Sequence, residues 1–318
     1  MNTGIVVARD YEQMSEYAAG LVQKSIRAGL AEKHEFVLGL ATGGSPVGLY
    51  ERLALAANRG RIDSSRLKTF NLDEYIGLKG RNPQERVLNK ESYCYFMVKH
   101  LFSKLNDPPS SFQVPWANLV DYKTLKKELI GNPDDWRRMG TDSGNAIIIR
   151  KKAQSPYLSW IKRYVLDSYA RLITTAGGID LQVLGVGGRG HVAFHEAGIP
   201  FSLKGLLMVE LDRVTVEHAV QDGHFPSSRQ APKMALTMSI DLVFKARQVV
   251  LLASGSRKTD AIARGLLGPV DCEVPVSYVQ TYAKRGGKVI LVLDREAAAG
   301  IMGRHKELRA NGFTVKVI

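Results

Sequence analysis

Cysteine is nearly absent: Cys94 and Cys272 are the only two in 318 residues, far apart and without a partner in metal-ligand spacing. A disulfide framework is therefore not expected, and the chain suits a reducing compartment, so a cytoplasmic location is expected. No apolar run reaches the roughly 18 residues of a membrane span, and residues 1–10 lack the basic-then-apolar layout of a secretion signal. No Walker A loop, dinucleotide fingerprint or nucleic-acid motif is visible. Repeats and low-complexity tracts are missing too. Acidic side chains are in deficit, 31 against 44 basic ones, which leaves a net charge of +13. Such a surface favours anionic partners, and charge alone does not separate phosphorylated metabolites from nucleic acid or an anionic membrane face. The basic residues between Lys123 and Arg171 are interleaved with acids and apolar side chains, which reads as a solvated face. With no motif to support either, neither nucleic-acid nor membrane binding is expected.

What is present is an ordinary globular balance, 45% hydrophobic and 24% charged, enough to bury a sizeable core. Short apolar runs read as strands at 5–8, 35–40, 67–72, 179–186, 206–211, 249–253, 288–294 and 314–318. Helical spacing intervenes, as at Met14, Tyr17, Ala18, Leu21, Val22 and Ile26 behind a capping Asp10. Strands alternating with helices predict an α/β fold: a doubly wound, mainly parallel, Rossmann-like sheet with helices on both faces. One domain is expected over 1–318. Around 107–178, loop clusters such as Pro108-Pro109-Ser110-Ser111 and Gly140-Thr141-Asp142-Ser143-Gly144 predict an insertion or a small subdomain.

Four stretches carry chemistry. In 181–196 an apolar strand stops in Gly185-Val186-Gly187-Gly188-Arg189-Gly190 and is followed at once by His191 and Glu196. Glycines let the backbone turn sharply and approach a ligand, and His191 can change charge near neutral pH, with Glu196 close enough to orient it. A tight turn with a solvated histidine is the plain alternative. In 38–46 a second strand runs into Ala41-Thr42-Gly43-Gly44-Ser45-Pro46 and a helix. That layout aims free backbone N–H groups at an anion, with Ser45 as N-cap or phosphate donor and Pro46 at the first helical position. In 70–75 two adjacent carboxyls, Asp73 and Glu74, end a strand, and one of them is a candidate general base. In 254–259 a second Ser/Gly turn brings Lys258 to a helix start, where it adds a point charge to an anion site or is simply solvated. His191 and His195, four apart, raise a metal site if they share a helix face, but no third ligand stands in local spacing, and none is expected.

The ordered set, Leu38 to Pro46, Phe70-Asn71-Leu72-Asp73-Glu74-Tyr75, Gly185 to Glu196, and Ser254 to Lys258 with Gly268-Pro269-Val270, resembles the glucosamine-6-phosphate deaminase and 6-phosphogluconolactonase superfamily. The Asp-Glu-Tyr stretch and Ala193-Phe194-His195-Glu196 favour the deaminase branch. Ser92-Tyr93 and Pro232 to Thr237 also resemble deaminase segments. The resemblance implies an enzyme that converts an amino-sugar phosphate and water to a ketose phosphate and ammonia without a cofactor. It further implies that Thr42, Gly43, Gly44 and Ser45 hold the phosphate with Lys258 as counter-charge, that Asp73 moves a proton between C2 and C1, and that His191 assists ring opening with Glu196 as partner. Gly187 and Arg189 are further candidates for substrate contact. A lactonase using His191 to activate water, and a sugar-phosphate sensor without turnover, are the alternatives. Assembly into a homo-oligomer is compatible with each. The chain departs from the deaminase pattern at Arg189, where an Asp is usual, and at His195-Glu196-Ala197, where Asn-Glu-Pro is usual. The arginine expected past Thr215 for phosphate binding is not evident around Ala219-Val220-Gln221. Arg189 is expected either to replace that arginine or to meet a carboxylate on a different substrate.

Overall fold

A computed structural model describes residues 3–141 and 144–318. The loop expected at Asp142 and Ser143 lies outside the described residues. The strands are β1 (Thr3–Ala8), β2 (Phe36–Leu40), β3 (Leu67–Asn71), β4 (Asp73–Ile76), β5 (Ser111–Gln113), β6 (Trp136–Thr141), β7 (Gly144–Ile149), β8 (Leu181–Gly185), β9 (Leu206–Glu210), β10 (Met234–Met238), β11 (Gln248–Ala253), β12 (Lys288–Asp294) and β13 (Val315–Val317). Eight of them form a sheet in the order β13-β1-β12-β11-β8-β2-β3-β5, with every neighbour parallel.

The sheet is buried on both faces because successive residues of its strands feed two different apolar clusters. Ile5, Val7, Val249, Leu251, Leu291 and Leu293 belong to one, Val6, Ala8, Val250, Leu252 and Val292 to the other. Continuous apolar runs, rather than alternating ones, are what such strands require. The second cluster is closed by the helices Tyr11–Glu32 and Val47–Asn58, through side chains such as Met14, Val22, Leu49 and Leu53. Asp10 caps the first of these by accepting from the Gln13 N–H at 2.9 Å, as its position before the periodic run predicts.

Order in the sheet creates a switch point. From β2 the chain winds outward through β3 to β5; from β8 it winds the other way through β11 and β12. Adjacent strands β2 and β8 therefore send their following loops to opposite sides, which opens a crevice at their carboxyl ends. The loops at that crevice are 41–46 and 186–191, two of the glycine-rich stretches.

A second sheet, β4-β10-β9-β7-β6, is antiparallel throughout. The strand pattern alone does not announce it, and the expectation of one parallel sheet is extended here. Leu72 is the corner between the two sheets. Its N–H donates to Leu40 of the parallel sheet (3.2 Å), and its carbonyl accepts from Met238 of the antiparallel one (2.8 Å). Asp73, the next residue, is thus fixed at the seam. The stretch 107–178 supplies β5 to the edge of the large sheet and the β6–β7 pair to the small one. Leu125, Leu129, Ile161, Val165 and Tyr169 from its helices join the same apolar cluster as Leu251 and Leu291. No helix among the described residues is long and apolar enough to cross a membrane.

Candidate active site

The crevice at the carboxyl ends of β2, β3, β8 and β11 is lined by Thr42, Gly43, Gly44, Ser45, Asp73, Gly187, His191 and Lys258, together with Tyr75, Tyr93, Phe194, Thr215, His218, Asp222, His224 and Arg257. Eight of the ten residues singled out in the sequence thus share one cleft. Glu196 stands immediately behind His191, and Arg189 is elsewhere.

The loop after β2 turns at Gly43, whose φ of +101° lies where an L side chain is strained. Tyr11 pins the loop, donating its hydroxyl to the Gly44 carbonyl (3.0 Å) while accepting from the Gly48 N–H (2.8 Å). Pro46, rather than Ser45, occupies the cap of the following helix, and no side chain caps it. The Ser45 hydroxyl, expected either to cap or to bind, does not cap that helix, and Ser45 lines the cleft. Opposite, the turn carrying Lys258 is held by Asp294, which accepts from the Ser254 hydroxyl and the Gly255 N–H. Among the described residues no carboxylate pairs with Lys258. Burial first, and then the Arg257 guanidinium beside it, hold its ammonium below the usual lysine range. A half-buried cation without a carboxylate is costly unless an anion completes it.

The two adjacent carboxyls part company because successive side chains on a strand point oppositely. Asp73 faces the cleft and is buried; desolvation, then Glu74 and then Glu196, push its proton affinity well above the carboxylate range. Glu74 points away and accepts from the N–H groups of Tyr75 (2.9 Å), Tyr93 (3.0 Å) and Cys94 (3.1 Å). With Ser92 accepting from Tyr95, it anchors the start of the Tyr93–His100 helix. Burial pushes Glu74 up to about 7 despite those bonds. Both carboxyls hold a proton more tightly folded than unfolded, so between the unfolded values near 4 and the folded ones stability falls as pH rises. The wild-type protein should lose stability relative to Glu74→Gln as pH goes from 5 to 7.5. Urea midpoints across that range check this, and parallel curves would show that Glu74 is not the source.

His191 Nδ1 lies 3.0 Å from Glu196 Oε2 and 3.3 Å from the Thr215 hydroxyl. Its ring rests on Gly187, whose place in the chain is set by an N–H donated to the His191 carbonyl at 2.9 Å. Ala193 adopts φ +54°, the one positive value at a non-glycine among the described residues. That strained residue lines the cleft and follows the turn that presents His191.

Residues 191–195 form a tight turn closed by a Val192–His195 bridge, so the helix face on which a His191–His195 metal site was conditional is not formed. His195 is fully buried, with Nε2 3.0 Å from the Ile199 carbonyl and Nδ1 accepting from the Ile240 N–H at 3.3 Å, and burial lowers it to about 4. It is a neutral, satisfied core histidine. Arg189 is bound to Asp212 at 2.7 Å, and Asp212 in turn caps the Arg213–Gln221 helix through the Val214 N–H. Its role here is to tie the His191 turn to that helix.

The same helix brings in residues the sequence reading missed. Thr215, His218, Ala219 and Asp222 line the cleft at spacings of three, four and seven. That periodicity was the available signal. Tyr75, Tyr93 and Phe194 make an aromatic wall, with Tyr93 stacked on Phe194 at 5.7 Å. No group of three or more His, Cys, Asp or Glu able to hold a metal occurs among the described residues.

The chain matches the family model of glucosamine-6-phosphate isomerases/6-phosphogluconolactonase over residues 9–290. A glucosamine-6-phosphate deaminase of Clostridium botulinum is 31% identical over 295 residues, covering 93% of this chain and 97% of the relative. One from Thermoanaerobacter pseudethanolicus is 33% identical, covering 93% and 94%. Among solved structures, a monomeric glucosamine-6-phosphate deaminase superposes with a TM-score of 0.68 at 28% identity, over 93% of this chain and 99% of that one. A 6-phosphogluconolactonase of Leishmania guyanensis shares the fold, with a TM-score of 0.58 at 19% identity, over 95% of this chain and 100% of the other.

Proposed function

The chain belongs to the family of glucosamine-6-phosphate isomerases and 6-phosphogluconolactonases, and from that premise we propose that it is a cytoplasmic deaminase/isomerase of glucosamine 6-phosphate or a related hexosamine phosphate. The observation that carries this reading is the set of charges gathered in one cleft: Lys258, Arg257 and the glycine loop line it together with Asp73, which lies in the field of Glu74 and Glu196. An amino-sugar phosphate has the matching charges, phosphate at C6 and ammonium at C2. The ammonium, arriving beside Asp73, favours the ionised carboxylate that desolvation disfavours in the empty site.

The chemistry then divides among the chain's own residues. The N–H groups of Gly43 and Gly44, the hydroxyls of Thr42 and Ser45, and the Lys258 ammonium grip the phosphate. His191, oriented by Glu196, protonates the ring oxygen as the pyranose opens to the aldehyde. Asp73 takes the proton from C2, leaving an enolamine, and returns it to C1. The resulting C2 imine adds water and expels ammonia, giving the ketose phosphate. A carboxylate of raised proton affinity is the stronger base for the C2 step.

Incubation with glucosamine 6-phosphate should release ammonia and fructose 6-phosphate in equal amounts. Acid release from 6-phosphogluconolactone, without either product, would replace this reading with the lactonase one; binding without turnover would make the protein a sensor. Lys258→Met is expected to raise KM about tenfold to a hundredfold with kcat little changed, the loss of one charge-assisted bond made equally in ground and transition states. Steady-state kinetics that show kcat falling instead would place Lys258 in the chemical step.

A further inference from the structure

The phosphate end of the cleft holds three side chains able to be cationic beside the Lys258 turn, and they are not equivalent. Arg257 is offset by Asp222, which it meets at 2.8 Å, and its guanidinium is largely exposed. Lys258 has no ion pair to a carboxylate among the described residues, although Asp222 is near enough to favour its charge. The third is His218, one turn beyond Thr215 on the Arg213–Gln221 helix. A side-chain carbon placed on Gly188 would lie 3.0 Å from His218 Cε1 and 3.9 Å from the Arg257 carbonyl. The imidazole is therefore seated between the loop after β8 and the turn after β11, in the cleft that Lys258 lines. No described carboxylate pairs with it, whereas His224 is taken by Glu91 at 2.9 Å and His191 by Glu196.

We propose that His218, as imidazolium, is the second cation of the phosphate site, so that binding of a sugar phosphate takes up a proton and weakens above neutral pH. This rests on the reading of the cleft as a hexosamine phosphate site. An arginine in this place would hold its charge at every physiological pH; an imidazole holds it only while protonated, and a phosphate dianion is the partner that favours that form. The charged and titratable side chains that line the cleft with it are Lys258, Arg257, His191, His224 and, one turn on at the end of its own helix, Asp222. An incoming dianion adds the charge that favours the imidazolium.

Calorimetric titration with sorbitol 6-phosphate tests this, because that compound carries the phosphate without an amine or an anomeric carbon. At pH 7.5 its phosphate is already dianionic, the second ionisation lying near 6, so any proton taken up belongs to the protein. Runs in two buffers of different ionisation enthalpy count it. The wild-type chain is expected to take up a substantial fraction of one proton and to lose affinity by up to about tenfold per pH unit between 7.5 and 8.5. His218→Gln should bind about tenfold more weakly at pH 7 with that uptake gone. His218→Arg should bind at least as tightly as wild type at pH 8.5, again without uptake, and it guards against a misfolded glutamine variant. Equal proton uptake in wild type and both variants overturns the assignment to His218 while leaving the phosphate site standing. Failure of the wild type to bind sorbitol 6-phosphate or to turn over glucosamine 6-phosphate would instead overturn the reading of the cleft, and this inference with it.

Discussion

Asp73→Asn is expected to lower kcat for glucosamine 6-phosphate by about a thousandfold, within the range that positioned general acid–base groups contribute, while KM changes only a few-fold. The amide keeps the shape of the carboxyl and can still accept one hydrogen bond, but it cannot carry a proton between two carbons. The same substitution has an opposite effect on stability. Asp73 is buried at the seam of the two sheets, within the fields of Glu74 and Glu196. Its ionisation in the empty site costs free energy that a neutral side chain avoids. The variant should therefore unfold at higher urea than wild type at neutral pH, and the two curves should converge near pH 4, where the unfolded carboxyl is itself protonated. A stable, inactive protein separates loss of chemistry from loss of fold. Retention of more than a tenth of the wild-type kcat would remove Asp73 from the proton-transfer step.

The second large effect is expected from the smallest change, Gly187→Ala. A methyl at this position would sit 1.9 Å from His191 Nε2 and 2.2 Å from both neighbouring ring carbons. No rotation of the methyl relieves that contact, so the imidazole must swing off its seat and lose its bonds to Glu196 and Thr215. Activity should fall at least about a hundredfold, since the group proposed to protonate the ring oxygen is then displaced. Forced overpacking should also cost about 1–3 kcal/mol. Gly20→Ala is the control: it lies within the Tyr11–Glu32 helix with nothing within 4 Å of the added carbon, and should be neutral or slightly stabilising. Kinetics and urea unfolding of both variants check the contrast. An active Gly187→Ala would mean that His191 works from another position.

Much of this site is readable in the linear chain because its parts are local. Gly43, Gly44 and Ser45 are contiguous, and so are the strand, the glycines and His191. Strand ends followed by glycine turns are where a parallel sheet exposes backbone donors. The Glu196 partnership is also within reach, five residues from His191, and so is a tight turn there, although the left-handed Ala193 that shapes it is not. Contacts that cross the chain were out of reach. Nothing in the order of residues places Asp212 under Arg189, or shows that Glu74 anchors a helix that begins at Tyr93. His218 belongs to no motif in the sequence, though the helix that carries it repeats Thr215, His218 and Asp222 with the period of one face.

Sequence by itself pointed to the class of fold, to the glycine turns that line the cleft and to the titratable residue types beside them, because apolar run length, glycine clusters and residue type are local properties of the chain. The tertiary structure alone decided which of two neighbouring carboxyls faces the cleft, since strand alternation assigns opposite faces but not which of them meets it. It also decided that Arg189 is bound to Asp212, and that the His218 imidazole lines the same cleft as Lys258. Such facts depend on which loops a switch point brings together, and residues dozens of positions apart become neighbours only when the sheets close.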